Sequence, residues 1–295
     1  MSEQAAPSSG SSKRNADRVP GPGRGLYILP SIFTVGTMVC GFIAILSALK
    51  GTDVMAAGQG SEAALGAFDL AAKAIGWAVV FDGLDGRIAR WTNSSSDFGR
   101  EFDSLADVIT FGLAPALLAY AWGVRQVEPI TGNHLVQYLQ KSGWIITFGY
   151  VICGAARLAR FNIDRGASPD RRQFIGLPIP AAAGIVAAII HWAKYPVNDW
   201  RYGIAWLVVV GVSGFLMVST VRYSSFKNID FRRRRSFATI ILIFLVIWLV
   251  WTYSEPALLV IALSYAASGP LSRLITRFRP HSSSAPPESS KVQAI

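Results

Sequence analysis

Asp82-Gly-Leu-Asp85-Gly86-Arg-Ile-Ala89-Arg90, followed after eight residues by Gly99-Arg-Glu-Phe-Asp103-Ser-Leu-Ala-Asp107, is the stretch around which the rest of the chain is organised. A helix through the first half puts Asp82, Asp85 or Gly86, and Ala89 on one face, because positions three and four apart stack on the same side. A second helix does the same for Gly99, Asp103 and Asp107. Four carboxylates from two neighbouring helices can therefore converge. With no His or Cys nearby they form a hard, all-oxygen donor set suited to Mg or Mn rather than Zn. Gly86, Ala89 and Gly99 remove side-chain bulk beside the acids, and Arg90 adds a fixed positive charge suited to phosphate.

The frame of this acidic stretch is apolar. Of the 295 residues 52% are hydrophobic and 16% charged, a balance too apolar for an ordinary soluble domain of this size. Four aligned acids in such a frame are costly without a cation. The net charge of +10 does not indicate a nucleic-acid partner, since the basic residues lie between apolar runs rather than in one patch with interleaved aromatics. Cys40 and Cys153 sit inside apolar runs as small hydrophobes and form no ligand cluster.

In chain order, residues 1–23 read as a disordered basic tail, and 276–295 as a second tail rich in Ser and Pro. Residues 24–275 form the membrane domain. Its first apolar run, Leu26 to Leu49, carries no charge and is long enough to span. Leu70 to Phe81 is too short alone, so its helix must continue through the Asp82 motif; from about Phe68 to Trp91 it measures roughly 36 Å. Helix 3 follows the Asn93-Ser-Ser-Ser turn and runs through Asp103 and Asp107 into Val108 to Val124. Further runs cover Gly143–Ala156, Phe174–Ala193, Tyr202–Val221, Ser236–Tyr253 and Pro256–Leu271. The expected fold is an all-α, polytopic membrane bundle of about eight transmembrane helices.

The N-terminal tail, the connections 2/3, 4/5 and 6/7, and the C-terminal tail carry 4, 3, 5, 6 and 4 Lys or Arg. By the positive-inside rule both termini and the acidic motif face the cytoplasm. Within this pattern Arg232 to Arg235 read as a stop signal in contact with anionic lipid. His191, toward the opposite face, reads as interfacial rather than catalytic.

The spacing Asp-x2-Asp-Gly-x2-Ala-Arg-x8-Gly-x3-Asp-x3-Asp resembles, without a mismatch, the signature of the CDP-alcohol phosphatidyltransferases. That resemblance implies transfer of a phosphatidyl group, or a related phospho-group, from a CDP-alcohol to a hydroxyl with two divalent ions as cofactor. It implies that Asp82 and Asp103 bridge both metals, that Asp85 completes one and Asp107 the other, and that Asp107 is also the general base. Gly86, Ala89, Arg90, Gly99 and Thr34 would then contact the CDP-lipid.

Four further stretches resemble the phosphatidylserine synthases of that superfamily: Leu29-Pro-Ser-Ile-Phe-Thr34, Arg157-Leu-Ala-Arg160-Phe161-Asn162, Phe174 to Ala182, and Met217 to Lys227. Ser31 and Thr37 depart from the pattern, which usually has Asn at both. The implied substrates are CDP-diacylglycerol and L-serine, with CMP released. Arg160 is the first choice for the serine carboxylate, with Arg157 and Asn162 beside it, because an arginine offers two parallel donors. The implied partners are these substrates and the bilayer, and a homodimer is compatible with the pattern. Two alternatives stay open: the same chemistry with glycerol phosphate or inositol as acceptor, and a cation-coupled transporter. No internal repeat of the transporter kind is present.

Overall fold

The computed structural model describes residues 28–58, 61–91, 97–127, 134–165, 173–224 and 252–278, with a few residues between 241 and 250. The described residues are almost entirely helical. The apolar run from Ile28 makes α1 (Ile28–Ala56), and α2 (Ser61–Trp91) returns along it after a short connection. The pair packs closely because its seam is built from small residues. Ala44 and Ala48 of α1 share one buried cluster with Ala71, Ala74 and Ala78 of α2, and Ala67 and Ala64 are buried one and two turns before them. At Gly51 a Cβ would come within 2.8 Å of the Phe68 ring.

The third apolar run is helical from Asp97 to Gly123 but not uniformly so. α3 (Asp97–Asp107) gives way to a π-helical segment at Val108–Leu113, and α4 (Ala114–Gly123) resumes the ordinary winding. The backbone N–H of Ala114 reaches back to Ile109 O, five residues earlier. Pro115 has no N–H to offer the carbonyl of Phe111, four residues before it. The buried Tyr150 hydroxyl donates to that carbonyl instead, at 3.2 Å. The π segment begins immediately after Asp107, a position where such insertions commonly accompany function.

α5 (Leu135–Arg165) packs on α7 (Trp200–Val218), and α6 (Ile179–Ala193) runs through the middle of the core against α2. The expected helix from Phe174 does not begin there. Gln173–Ile175 is a short strand, β1, paired antiparallel with β2 (Arg222–Ser224) in the register Phe174 to Tyr223. Gly176 takes φ +82°, and a Cβ on it would lie 2.2 Å from Met217 O, so only glycine fits. Pro178 and Pro180 then delay the helix to Ile179. The expected run to Val221 likewise ends as helix at Val218, since Arg222 to Ser224 pair with β1. The last described helix, α8 (Ser254–Phe278), continues past residue 275 and packs on α6 and β2.

Five helical stretches are long and apolar enough to cross a bilayer: Ile32–Ala56, Glu62–Ile88, Phe98–Gly123, Val136–Ile163 and Trp200–Val218. α6, at 15 residues, is shorter than a bilayer needs. The run Ser236–Tyr253 falls mostly outside the described residues, as do both tails apart from the end of α8. Phe42, Trp77, Phe148 and Phe215 present their rings outward, Phe215 with 71% of its surface exposed. Such a belt would be a liability in water and is the expected lipid-facing surface of an integral membrane protein.

His191 is not at a free interface. It is buried at the end of α6, its Nδ1 against Asp69 Oδ1 and its Nε2 3.0 Å from Ser254 Oγ. A lone His on an apolar run gave no hint of these partners, which come from α2 and α8. Lys73 pairs with Asp69 at 2.7 Å and Lys194 with Glu255 at 2.6 Å, so this end of the core is closed by ion pairs.

Candidate active site

The acids meet where the C-terminal end of α2 faces α3. Oxygens of Asp82, Asp103 and Asp107 lie within 4.8 Å of one another. Asp82 sits about one turn beyond the Ala-rich seam of α2, and Asp103 and Asp107 are successive turns of α3. Asp107 is buried, with 8% of its surface exposed, and its Oδ1 has no hydrogen-bond partner among the described residues. A buried carboxylate oxygen without a donor is costly unless a ligand satisfies it.

Asp85, one turn beyond Asp82, is also buried, but it lies outside the cluster of three. Its carboxylate accepts the Thr34 hydroxyl of α1. It remains within electrostatic reach of Asp107. The expected four-acid set is thus three carboxylates in mutual contact range and a fourth oriented by α1.

The donors fit a hard divalent cation. Three carboxylates this close repel one another by about 3.5 kcal/mol per pair at an effective dielectric near 20, before solvent screening. An oxygen-seeking cation removes that repulsion and satisfies Asp107 Oδ1. The chemistry of the set favours Mg or Mn over softer metals.

The back of the site belongs to α1 and the π segment. Thr110 donates from Oγ1 to Thr37 O at 3.2 Å, and Thr37 donates its own hydroxyl to Phe33 O at 3.1 Å. A Cβ on Gly41 would stand 2.9 Å from Thr110 Cα, so α1 approaches the π segment backbone to backbone. Thr34, expected at the CDP-lipid, is buried and spends its hydroxyl on Asp85. A Cβ on Gly86 would meet nothing within 4 Å, which leaves the approach to the acids open. Gly99 is half-buried on α3. The side chains of Ala89, Arg90 and Ser31 lie outside the described residues.

The arginines of α5 separate. Arg157 is buried, 9% exposed, with its Nε unpartnered among the described residues and its charge within electrostatic reach of Asp107. Its guanidinium carbon lies 6.0 Å from the Phe161 ring centroid. Arg160, the first choice from sequence, is exposed. Three residues along a helix leave two side chains only about 60° apart, and it is the packing of α5 on its neighbours that buries Arg157 and leaves Arg160 exposed. Asn162 is exposed and donates from Nδ2 to Ser104 Oγ at 3.0 Å, tying α5 to α3 beside the acids.

The family model of the CDP-alcohol phosphatidyltransferases matches residues 27–212, which contain all four acids and Arg157. The chain belongs to the CDP-alcohol phosphatidyltransferase family. It is 37% identical over 227 residues to the CDP-diacylglycerol–serine O-phosphatidyltransferase of Helicobacter pylori, covering 75% of this chain and 82% of that one. It is 32% identical over 202 residues to the enzyme of the same name from Bacillus subtilis, covering 68% and 92%. CDP-alcohol phosphatidyltransferase chemistry is accordingly the activity of this membrane protein.

Sequence reasoning about this phosphatidyltransferase missed the π segment and the burial of Arg157. Pro115, eight residues after Asp107 in a helix-length apolar run, was the available sign of irregular winding.

Proposed function

We propose that the enzyme transfers the phosphatidyl group of CDP-diacylglycerol to L-serine, giving phosphatidylserine and CMP. The observation that carries the chemistry is the cluster of Asp82, Asp103 and Asp107 within 4.8 Å, with a buried Asp107 oxygen left without a partner. The serine acceptor is supported by relatives whose names state that acceptor.

Asp82, Asp103 and Asp107, with Asp85 beside them, would hold two divalent ions, Mg or Mn. When bound, these ions neutralise the negative pyrophosphate and the charge that leaves with CMP. Asp107 accepts the proton of the serine hydroxyl at its carboxylate as the serine Oγ forms its bond to phosphorus. The bond from that phosphorus to the CMP oxygen breaks, and CMP departs with the electron pair. The proton leaves Asp107 for solvent or for the departing phosphate. The open face at Gly86, with Ala89, Arg90 and Gly99 along the same helices, receives the CDP-lipid, while Thr34 keeps Asp85 oriented.

Arg157, rather than Arg160, is the proposed partner of the serine carboxylate. It is the buried one, it stands near Asp107, and its Nε has a donor to spare. Positive-charge bias in the connections supports a cytoplasmic active site with both termini on the same side. CMP release by the purified protein from CDP-diacylglycerol, tested with L-serine, glycerol phosphate and inositol in turn, is the deciding experiment. Serine-dependent release abolished by EDTA is expected. Release with inositol or glycerol phosphate but not serine would overturn the acceptor assignment, and undiminished turnover in EDTA the metal role.

A further inference from the structure

Phosphatidyl transfer makes no use of the polar network at the other end of the bundle. On α2, Asp69 lies roughly 20 Å along the helix axis from Asp82 of the acidic cluster. Three helices each bring one side chain there. His191, buried at the end of α6, has Nδ1 2.5 Å from Asp69 Oδ1 of α2 and Nε2 3.0 Å from Ser254 Oγ at the start of α8. Lys73 holds the other Asp69 oxygen at 2.7 Å. An ionised carboxylate only accepts, so Nδ1 carries the ring proton, and in the neutral imidazole Nε2 accepts the Ser254 hydroxyl. Acid, imidazole and hydroxyl in this order are the parts of a serine hydrolase, in which the imidazole takes the serine proton.

The base and the hydroxyl are also fixed to each other through the backbone. Lys194, directly after α6, has φ +59° and ψ −59°, and the N–H of Tyr195 closes the turn on Ala193 O at 2.6 Å. This is the strained form of the three-residue turn. Such strain persists where the surroundings hold it, and it concentrates at functional sites. Here the Lys194 ammonium pairs at 2.6 Å with Glu255, the residue after Ser254. The turn that ends the base's helix is thereby tied to the turn that presents the hydroxyl. Tyr253 N–H bonds to Leu249 O and Ala257 N–H to Tyr253 O, so Ser254 opens the new helix. The Glu255 N–H then follows the hydroxyl directly, among the first-turn donors that a helix's own carbonyls leave unmatched.

Ser254 is half-buried rather than sealed. Exposed Trp192 adjoins His191 in the chain, and exposed Tyr253 adjoins Ser254. Such rings, apolar with one polar edge, favour the boundary between lipid and water. We propose that Ser254, His191 and Asp69 form a second catalytic site, a serine esterase for carboxylic esters presented at the membrane interface opposite the phosphatidyltransferase acids. Ser254 Oγ bonds to the ester carbonyl carbon as its proton passes to His191 Nε2. The Glu255 N–H faces the oxyanion. The bond from that carbon to the alcohol oxygen breaks, and the alcohol leaves with the proton from Nε2. Water, deprotonated by the same nitrogen, then cleaves the acyl-serine, which releases the carboxylic acid and restores the hydroxyl.

The test treats the purified full-length protein in detergent with a fluorophosphonate, which labels activated serines, and assays hydrolysis of p-nitrophenyl butyrate. Label on Ser254, located by peptide mass spectrometry, and ester hydrolysis are expected, both unchanged by EDTA. Ser254→Ala should abolish both while its CMP release and thermal midpoint stay at the parent's values. His191→Gln should slow labelling and hydrolysis at least about 100-fold, the scale of a general base, and Asp69→Asn at least about tenfold. An unlabelled Ser254 in parent protein that unfolds cooperatively would overturn the proposal. So would labelling that survives His191→Gln, or hydrolysis that survives Ser254→Ala. Labelling of the parent needs no substitution, so it decides the matter even where His191→Gln or Asp69→Asn does not fold.

Discussion

Replacing Asp103 by Asn should make the metal-free protein more stable and the metal-loaded protein less so. Asp103 shares contact range with two other carboxylates, all within 4.8 Å. Each pair of charges at that separation repels by about 3.5 kcal/mol at an effective dielectric near 20. Solvent reaches Asp82 and Asp103, both only half-buried, so the relief from removing two such pairs discounts to about 1–3 kcal/mol. In EDTA the thermal midpoint of Asp103→Asn should therefore lie above that of the unmodified protein by a few degrees. Saturating Mg or Mn reverses the order. A bound ion stabilises the folded state by RT ln(1 + [L]/Kd), and the variant, lacking one anionic ligand, gains less from it. Turnover should fall by at least about 100-fold, corresponding to roughly 3 kcal/mol of lost stabilisation. The assay is thermal unfolding in EDTA and in a metal titration, run beside CMP release. A variant that is less stable than the parent in EDTA, and stabilised by metal as much as the parent, would refute the reasoning that these acids form a cation site.

Asp82→Asn and Asp103→Asn should damage turnover at least as much as Asp85→Asn, since Asp85 stands outside the close cluster and is engaged by Thr34; a rate series in one buffer checks the order. Asp107→Asn should lose catalysis by more than it loses CDP-diacylglycerol binding, read as kcat against a binding isotherm, because its proposed roles include the base. Arg157→Lys should raise the serine KM about tenfold or more, the loss of a charge-assisted pair worth roughly 1.5–3 kcal/mol, whereas the exposed Arg160→Lys should move it little. Tyr150→Phe should destabilise the protein by about 1–3 kcal/mol in thermal or denaturant unfolding, since Pro115 withholds the N–H that Phe111 O would take in an ordinary α-helix.

The legible part of this protein was its chemistry and its class. Aspartates at three- and four-residue spacing announce which face of each helix they share, because helical periodicity is a local property. Apolar runs of spanning length announce a membrane for an equally local reason, since every residue of a span must be individually compatible with lipid. The family signature in Asp82 to Asp107 rests on the same kind of information, and the match over residues 27–212 agrees with it.

The tertiary structure decided matters that no local rule contains. Arg157 and Arg160 are three residues apart, chemically identical, and indistinguishable by spacing; only the packing of α5 on its neighbours buries one beside Asp107 and leaves the other exposed. Asp85 looks equivalent to Asp82 along α2 until the Thr34 hydroxyl arrives from α1, 51 residues earlier in the chain. The strand at Gln173–Ile175 exists because Arg222–Ser224 lies beside it, and that strand pair holds Tyr223 against Tyr265 of α8. Periodicity tells a side chain which face it shares with its own helix. Which partner covers that face depends on contacts between residues far apart in sequence, and those exist only once the bundle has closed.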